Sequence, residues 1–129
     1  MTERYSIELE PEVETLLDKL SLHDFRTVEF RTVERLADLL AEQPTTLGEP
    51  YSRHLGGPVR ELRCNIGTSQ TRITYWLAPL RRIVLLTTFV KTRSHEATQV
   101  ARALAAQQTC AAEHGPAEHL YDRIFKEDA

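Results

Sequence analysis

Four basic side chains in the middle of this chain could hold a phosphate. Arg63 and Arg72 fall on segments with strand-like alternation, and Lys91 and Arg93 follow a third such segment. Guanidinium forks bind phosphate through paired donors and can stabilise the charge that develops on a phosphorane. Two histidines flank this set: His54 lies beside Arg53 in a Gly/Pro-rich stretch, and His95 follows Arg93. An imidazole can give or take a proton near neutral pH. Glu61 shares a strand face with Arg63, two residues away. One reading makes Glu61 the partner that holds Arg63 in place; the other makes it a general base, which an arginine neighbour would weaken. His54 likewise reads either as a loop-surface residue or as a proton-transfer group. Tyr51, Tyr75 and Trp76 could stack bases, but Tyr75 and Trp76 face opposite sides of one strand, so at least one belongs to the core.

Charge is sorted along the chain. Residues 1–50 hold 5 Lys/Arg against 12 Asp/Glu, residues 51–104 hold 9 against 2, and residues 105–129 hold 2 against 5. The formal net charge of −3 therefore conceals a basic middle between acidic ends. A basic sheet points to a polyanionic partner, and the acidic flanks argue against an indiscriminate nucleic-acid coat. His114 and His119 are separated by Gly115-Pro116, which breaks any shared helix face, and no metal site is expected. No CxxC, phosphate-binding glycine loop, dinucleotide fingerprint or nucleophile elbow occurs, so no cofactor is expected.

The elements that must position these groups can be read from periodicity. The 129 residues, 41% hydrophobic and 27% charged, suit one folded domain. Arg4 to Leu9 alternates as a strand, and Pro11 opens a helix whose Val13, Leu16, Leu17 and Leu20 share a stripe. Ser21 is a candidate cap for a second helix carrying Phe25, Val28, Leu36, Leu39 and Leu40 and ending near Gln43. The two should form a hairpin with an acidic outer face. Pro44 to Pro58 reads as a loop. Three strands follow, Val59–Ile66, Thr71–Ala78 and Arg82–Val90, whose short connections favour antiparallel pairing. A helix starts near Ser94, stops at Gly115-Pro116, and is followed by a short helical stripe of Leu120, Tyr121, Ile124 and Phe125. Cys64 and Cys110 read as buried free thiols of a reducing compartment. No apolar run is long enough to span a membrane, and the N-terminus lacks a secretory layout, so a cytoplasmic protein is expected.

Strand, helical hairpin, three strands and helix occur in that order. Together with Val59-Arg60-Glu61-Leu62-Arg63, Thr71-Arg72-Ile73-Thr74-Tyr75-Trp76 and Ile83 to Lys91, this resembles the phage-derived, HigB-like branch of the RelE/ParE toxin superfamily. The resemblance covers roughly residues 3–110. It implies an α+β fold in which an N-terminal strand and helical hairpin pack on a small antiparallel sheet, followed by C-terminal helices. Residues 1–113 would form the toxin domain and 114–129 a helical extension. It also implies a type II toxin that cleaves mRNA on the ribosome and is neutralised by a helix-turn-helix antitoxin. By position, Arg72 and Lys91 match the family's phosphate-binding basic residues. Arg63 and Arg93 would add to the phosphate site, Arg53 and Arg60 would support ribosomal RNA contact, and His54 or His95 would serve proton transfer. RelE members place lysines on the first core strand and a tyrosine on the last helix. Here those positions correspond to Val59, Glu61 and about Thr98. That departure keeps open a non-enzymatic, ParE-like toxin that binds a protein such as gyrase, and an inert phage remnant.

Overall fold

The computed structural model describes residues 4–23, 28–66, 69–92 and 97–113. Their elements run β1 (Ser6–Leu9), α1 (Pro11–His23), α2 (Val28–Glu42), β2 (Ser52–Gly56), β3 (Val59–Ile66), β4 (Ser69–Ala78), β5 (Arg82–Val90) and α3 (Ala97–Glu113). The sheet order is β1-β5-β4-β3-β2. β2 through β5 form an antiparallel meander, while β1 pairs parallel to β5 with Ile7 opposite Ile83. The α+β class is as expected, but the sheet is mixed. It also has a strand where a loop was expected: Ser52–Gly56 has little hydrophobic alternation and is bounded by Gly48, Pro50, Gly56, Gly57 and Pro58. Its pairing is set by β3, with Arg53 opposite Glu61 and His54 opposite Arg60.

Alternation along the strands divides the core into two layers. Leu62, Cys64, Ile73, Tyr75, Ile83 and Leu85 face α1 and α2 and pack with Val13, Val33, Leu36 and Leu40. Val59, Ala78, Val84 and Leu86 face the other way, against Ala103 and Cys110 of α3. The residues that α3 buries are Ala103, Gln107 and Cys110, while Ala97, Ala101 and Ala105 are exposed, so the small-residue face at 97, 101 and 105 does not pack on the sheet. Tyr75 is fully buried and Trp76 is partly buried on the opposite side. Both cysteines are buried and free, and they lie in different layers, on opposite faces of the sheet. Burial pushes the Cys64 thiol up to about 12, which the nearby Arg72 only partly offsets. Ser21 lies inside α1 and does not open a second helix.

Two further details fix the frame. β1 ends opposite Leu85, which leaves the outer edge of β5 without a strand partner beyond that point. There the Glu12 carboxylate accepts the Thr88 N–H at 2.7 Å, and Arg102 donates to the Thr88 carbonyl at 2.9 Å. Arg102 also grips both Glu12 oxygens, so one ion pair closes the strand edge and ties α1 to α3. Burial tends to raise the Glu12 pKa, but the hydrogen bonds from Arg102 and Thr88 and the Arg102 charge outweigh it and hold the carboxyl below its ordinary 4.5. At the β4–β5 turn, Leu80 and Arg81 have φ of 62° and 58°, the paired left-handed residues of a turn whose twist suits a tight hairpin.

Candidate nucleic-acid interface

The β2–β3 hairpin brings its basic residues over α3. Gly57 turns with a φ of 49°, and the register shifts between His54 and Gly56. A Cβ on Gly56 would lie 3.5 Å from the Val100 side chain, an ordinary van der Waals distance, so the hairpin packs directly against α3 at this point. Between this hairpin, the end of β5 and α3 opens a recess of about 660 Å³. Arg53, His54, Glu61, Phe89 and Lys91 line its sheet side, with Leu55 on the hairpin, while Ala97, Val100, Ala101 and Leu104 form an apolar helical wall. His54 and Arg53 are exposed. The His54 Nε2 lies 3.0 Å from the Gly57 carbonyl. A carbonyl only accepts, so this contact places the proton on Nε2 and leaves the Nδ1 lone pair of a neutral ring as the proton acceptor. The backbone N–H of Lys91 donates to Gln70 O at 2.8 Å and fixes the strand end that carries the ammonium.

The predicted site residues are brought together only in part. Arg53, His54 and Lys91 share this recess. Arg63 and Arg72 line a second recess of about 650 Å³ beside α2, with Thr32, Arg35, Leu36, Leu39, Pro50, Tyr51, Asn65 and Gln70. Arg60 belongs to neither. Its parity matches Leu62, and its Nε donates to Ser52 Oγ at 3.1 Å and to the buried Tyr75 hydroxyl at 3.3 Å. Arg93 and His95 lie outside the described residues, as do His114, His119 and the segment from 114 onward.

Glu61 joins the two recesses. Glu61 lines the first, and its Oε2 lies 3.7 Å from the Nε of Arg72, which lines the second; both side chains are buried. The partner expected for Glu61 was Arg63, but Arg63 pairs with Glu49 at 3.9 Å. The register explains the exchange. Arg63 and Arg72 stand directly opposite each other, an arrangement that like charges disfavour. Glu61 stands opposite Thr74, so Arg72 is its diagonal neighbour and can turn toward it. Arg72 also donates to Gln70 Oε1 at 3.4 Å and to the Thr71 carbonyl at 3.2 Å.

Sequence reasoning missed Arg35. It sits on the helix expected to show an acidic outer face, and only the packing of α2 against β3 reveals that it turns to the basic recess. Among the described residues no cluster of three or more His, Cys, Asp or Glu side chains could hold a metal ion, and no helix is long and apolar enough to cross a membrane.

No curated protein matches the chain. The family model described as "Phage derived protein Gp49-like (DUF891)" matches residues 21–109, which takes in α2, all of the antiparallel meander and most of α3. This span includes both recesses, and the chain belongs to the phage-derived Gp49-like family.

Proposed function

We propose that this protein is the toxin of a type II toxin–antitoxin pair, and that it cleaves messenger RNA on the translating ribosome. The observation that carries the reading is the convergence of Arg53, His54 and Lys91 on one open recess next to α3. The chemistry is a transesterification. His54, through Nδ1, takes the proton of a ribose 2′-hydroxyl, whose oxygen attacks the adjacent phosphorus. Arg53 and Lys91 stabilise the phosphorane oxygens, and the 5′-oxygen departs as it takes a proton from water in the open recess, while His54 releases the proton it accepted back to solvent. The products carry a 2′,3′-cyclic phosphate and a 5′-hydroxyl. Glu61 is a positioning residue that holds Arg72 in the sheet. The partner that silences such a toxin is a helix-turn-helix antitoxin, and the site of action is the cytoplasm.

Inducible expression tests this. Protein synthesis should stop before DNA replication, and His54→Ala and Lys91→Ala should each restore growth, with cleavage reduced about 10²- to 10⁴-fold for loss of the proton acceptor. The apolar α3 wall and the presence of an acidic residue, Glu61, in the lining favour a second reading, a ParE-like toxin that binds a protein target. In that case replication would stop first and messenger would stay intact.

A further inference from the structure

We infer that the recess beside α2 is a subsite for one unstacked nucleotide of a single-stranded RNA. The inference rests on the RNA reading above and adds a place that reading does not assign. β2 begins at Ser52, opposite Leu62, so the last residues of β3 have no strand partner on that side. The recess opens there, between the Pro50–Tyr51 segment, α2 and this edge of β3, where the Arg63 N–H donates to the Tyr51 carbonyl at 2.8 Å.

Its lining combines three recognition chemistries. Arg35 and Arg63 come from α2 and β3, with Arg72 behind them, and none of the lining residues is acidic. This is a phosphate-seeking surface, in which Arg35 from the acidic N-terminal part of the chain joins two arginines of the basic middle. Tyr51 lines the recess and is 45% exposed, a large aromatic ring left in solvent where a base could stack on it. Asn65 and Gln70 are directly opposed across β3 and β4, and both are exposed. Arg72 donates to Gln70 Oε1, which turns the Gln70 amide nitrogen outward as a donor. An opposed pair of amides offers donors and acceptors to a base edge, as unstacked RNA bases require.

The position suits one strand of RNA crossing both recesses. Tyr51 lines one and Arg53 the other, two residues apart and so about 7 Å along the strand direction. Glu61 and Arg63 repeat the same spacing on β3. A nucleotide seated beside Tyr51 would hold its neighbour near Arg53 and His54.

The test uses the full chain and a fluorescein-labelled single-stranded RNA whose 2′-O-methyl groups prevent cleavage, read by fluorescence anisotropy. Tyr51→Ala should weaken binding about 5- to 100-fold, the worth of one base stack, while Tyr51→Phe should bind as the parent does. Arg35→Ala should weaken binding and flatten its salt dependence by about one phosphate contact. A 4-thiouridine in the same RNA should crosslink to the Tyr51 peptide. Parent-like binding by Tyr51→Ala and Arg35→Ala would overturn the subsite and leave the RNA reading standing. No RNA binding by the parent protein would overturn the subsite, whereas the ribosome-dependent reading falls only if messenger stays intact on translating ribosomes. Competition by uridine monophosphate as effective as by the RNA would make this a free-nucleotide site, and loss of antitoxin binding alone in the two variants would make it a protein contact; each result overturns the inference.

Discussion

The two faces of the sheet are built from different materials. The face toward α1 and α2 is filled with large apolar side chains, Leu62, Ile73, Tyr75, Ile83 and Leu85 among them. The face toward α3 carries smaller apolar contacts and, with them, every buried charged side chain among the described residues: Glu8, Glu61, Arg72 and Arg82. Strand parity assigns all four to that side. Burying charges is costly unless they are paired, and even a good pair contributes little net stability. One face therefore carries the stability of the fold, and the other holds buried polar groups in fixed places, Glu61 and Arg72 among them beside the two recesses.

The strongest way to break this contrast is at the Glu8–Arg82 pair, where Nη1 of Arg82 reaches both carboxylate oxygens at 2.9 and 3.0 Å and both side chains are almost wholly buried. Arg82→Ala should cost about 3–5 kcal/mol because it strands a buried carboxylate, whereas the apolar double replacement Glu8→Leu/Arg82→Met should recover most of that loss. Urea unfolding of the three variants measures both. If the double variant is as unstable as the single one, the pair is a true source of stability and the contrast fails.

On the hairpin face, Leu40→Ala should cost about 2–5 kcal/mol, since Leu40 is fully buried in the larger cluster. On the other face, where Ala103 meets the sheet, Ala103→Leu should cost about 1–3 kcal/mol by overpacking. Equal tolerance of both changes would show that α3 does not pack closely.

The smallest effect is at Glu12–Arg102, the link between the two layers. Both side chains are more than a third exposed, so the pair contributes about 0.5–1 kcal/mol after solvent screening. A carboxyl held below its ordinary 4.5 stabilises the fold above that value and loses the contribution as pH falls through its folded value. The stability gap between the parent and Glu12→Gln should be widest near neutral pH and shrink as pH falls below 4.5 through the folded value. A gap independent of pH would mean that the carboxylate charge does not matter there.

Much of this frame was legible in the sequence. The 3–4 spacing of Val13, Leu16, Leu17 and Leu20, and of Leu36, Leu39 and Leu40, marked both helices of the hairpin. The alternation from Val59 onward marked β3 and β4, and the all-apolar run from Ile83 marked a strand covered on both faces. β2 was not legible, because five residues between glycines and prolines carry no period; their partner strand makes them a strand. The placement of Arg60 was present in the alternation, since it shares parity with Leu62 and so turns away from Arg63. The division of the basic groups between two recesses was not, because it depends on where β2 stops and on which carboxylate each arginine reaches across the sheet.

The most direct test follows a defined messenger on translating ribosomes with the purified protein, mapping the ends of any fragments. The account predicts fragments with 5′-hydroxyl and 2′,3′-cyclic phosphate ends, lost with Lys91→Ala and abolished when the ribose at the cut is 2′-deoxy. An intact messenger under conditions where the same preparation arrests growth would contradict it.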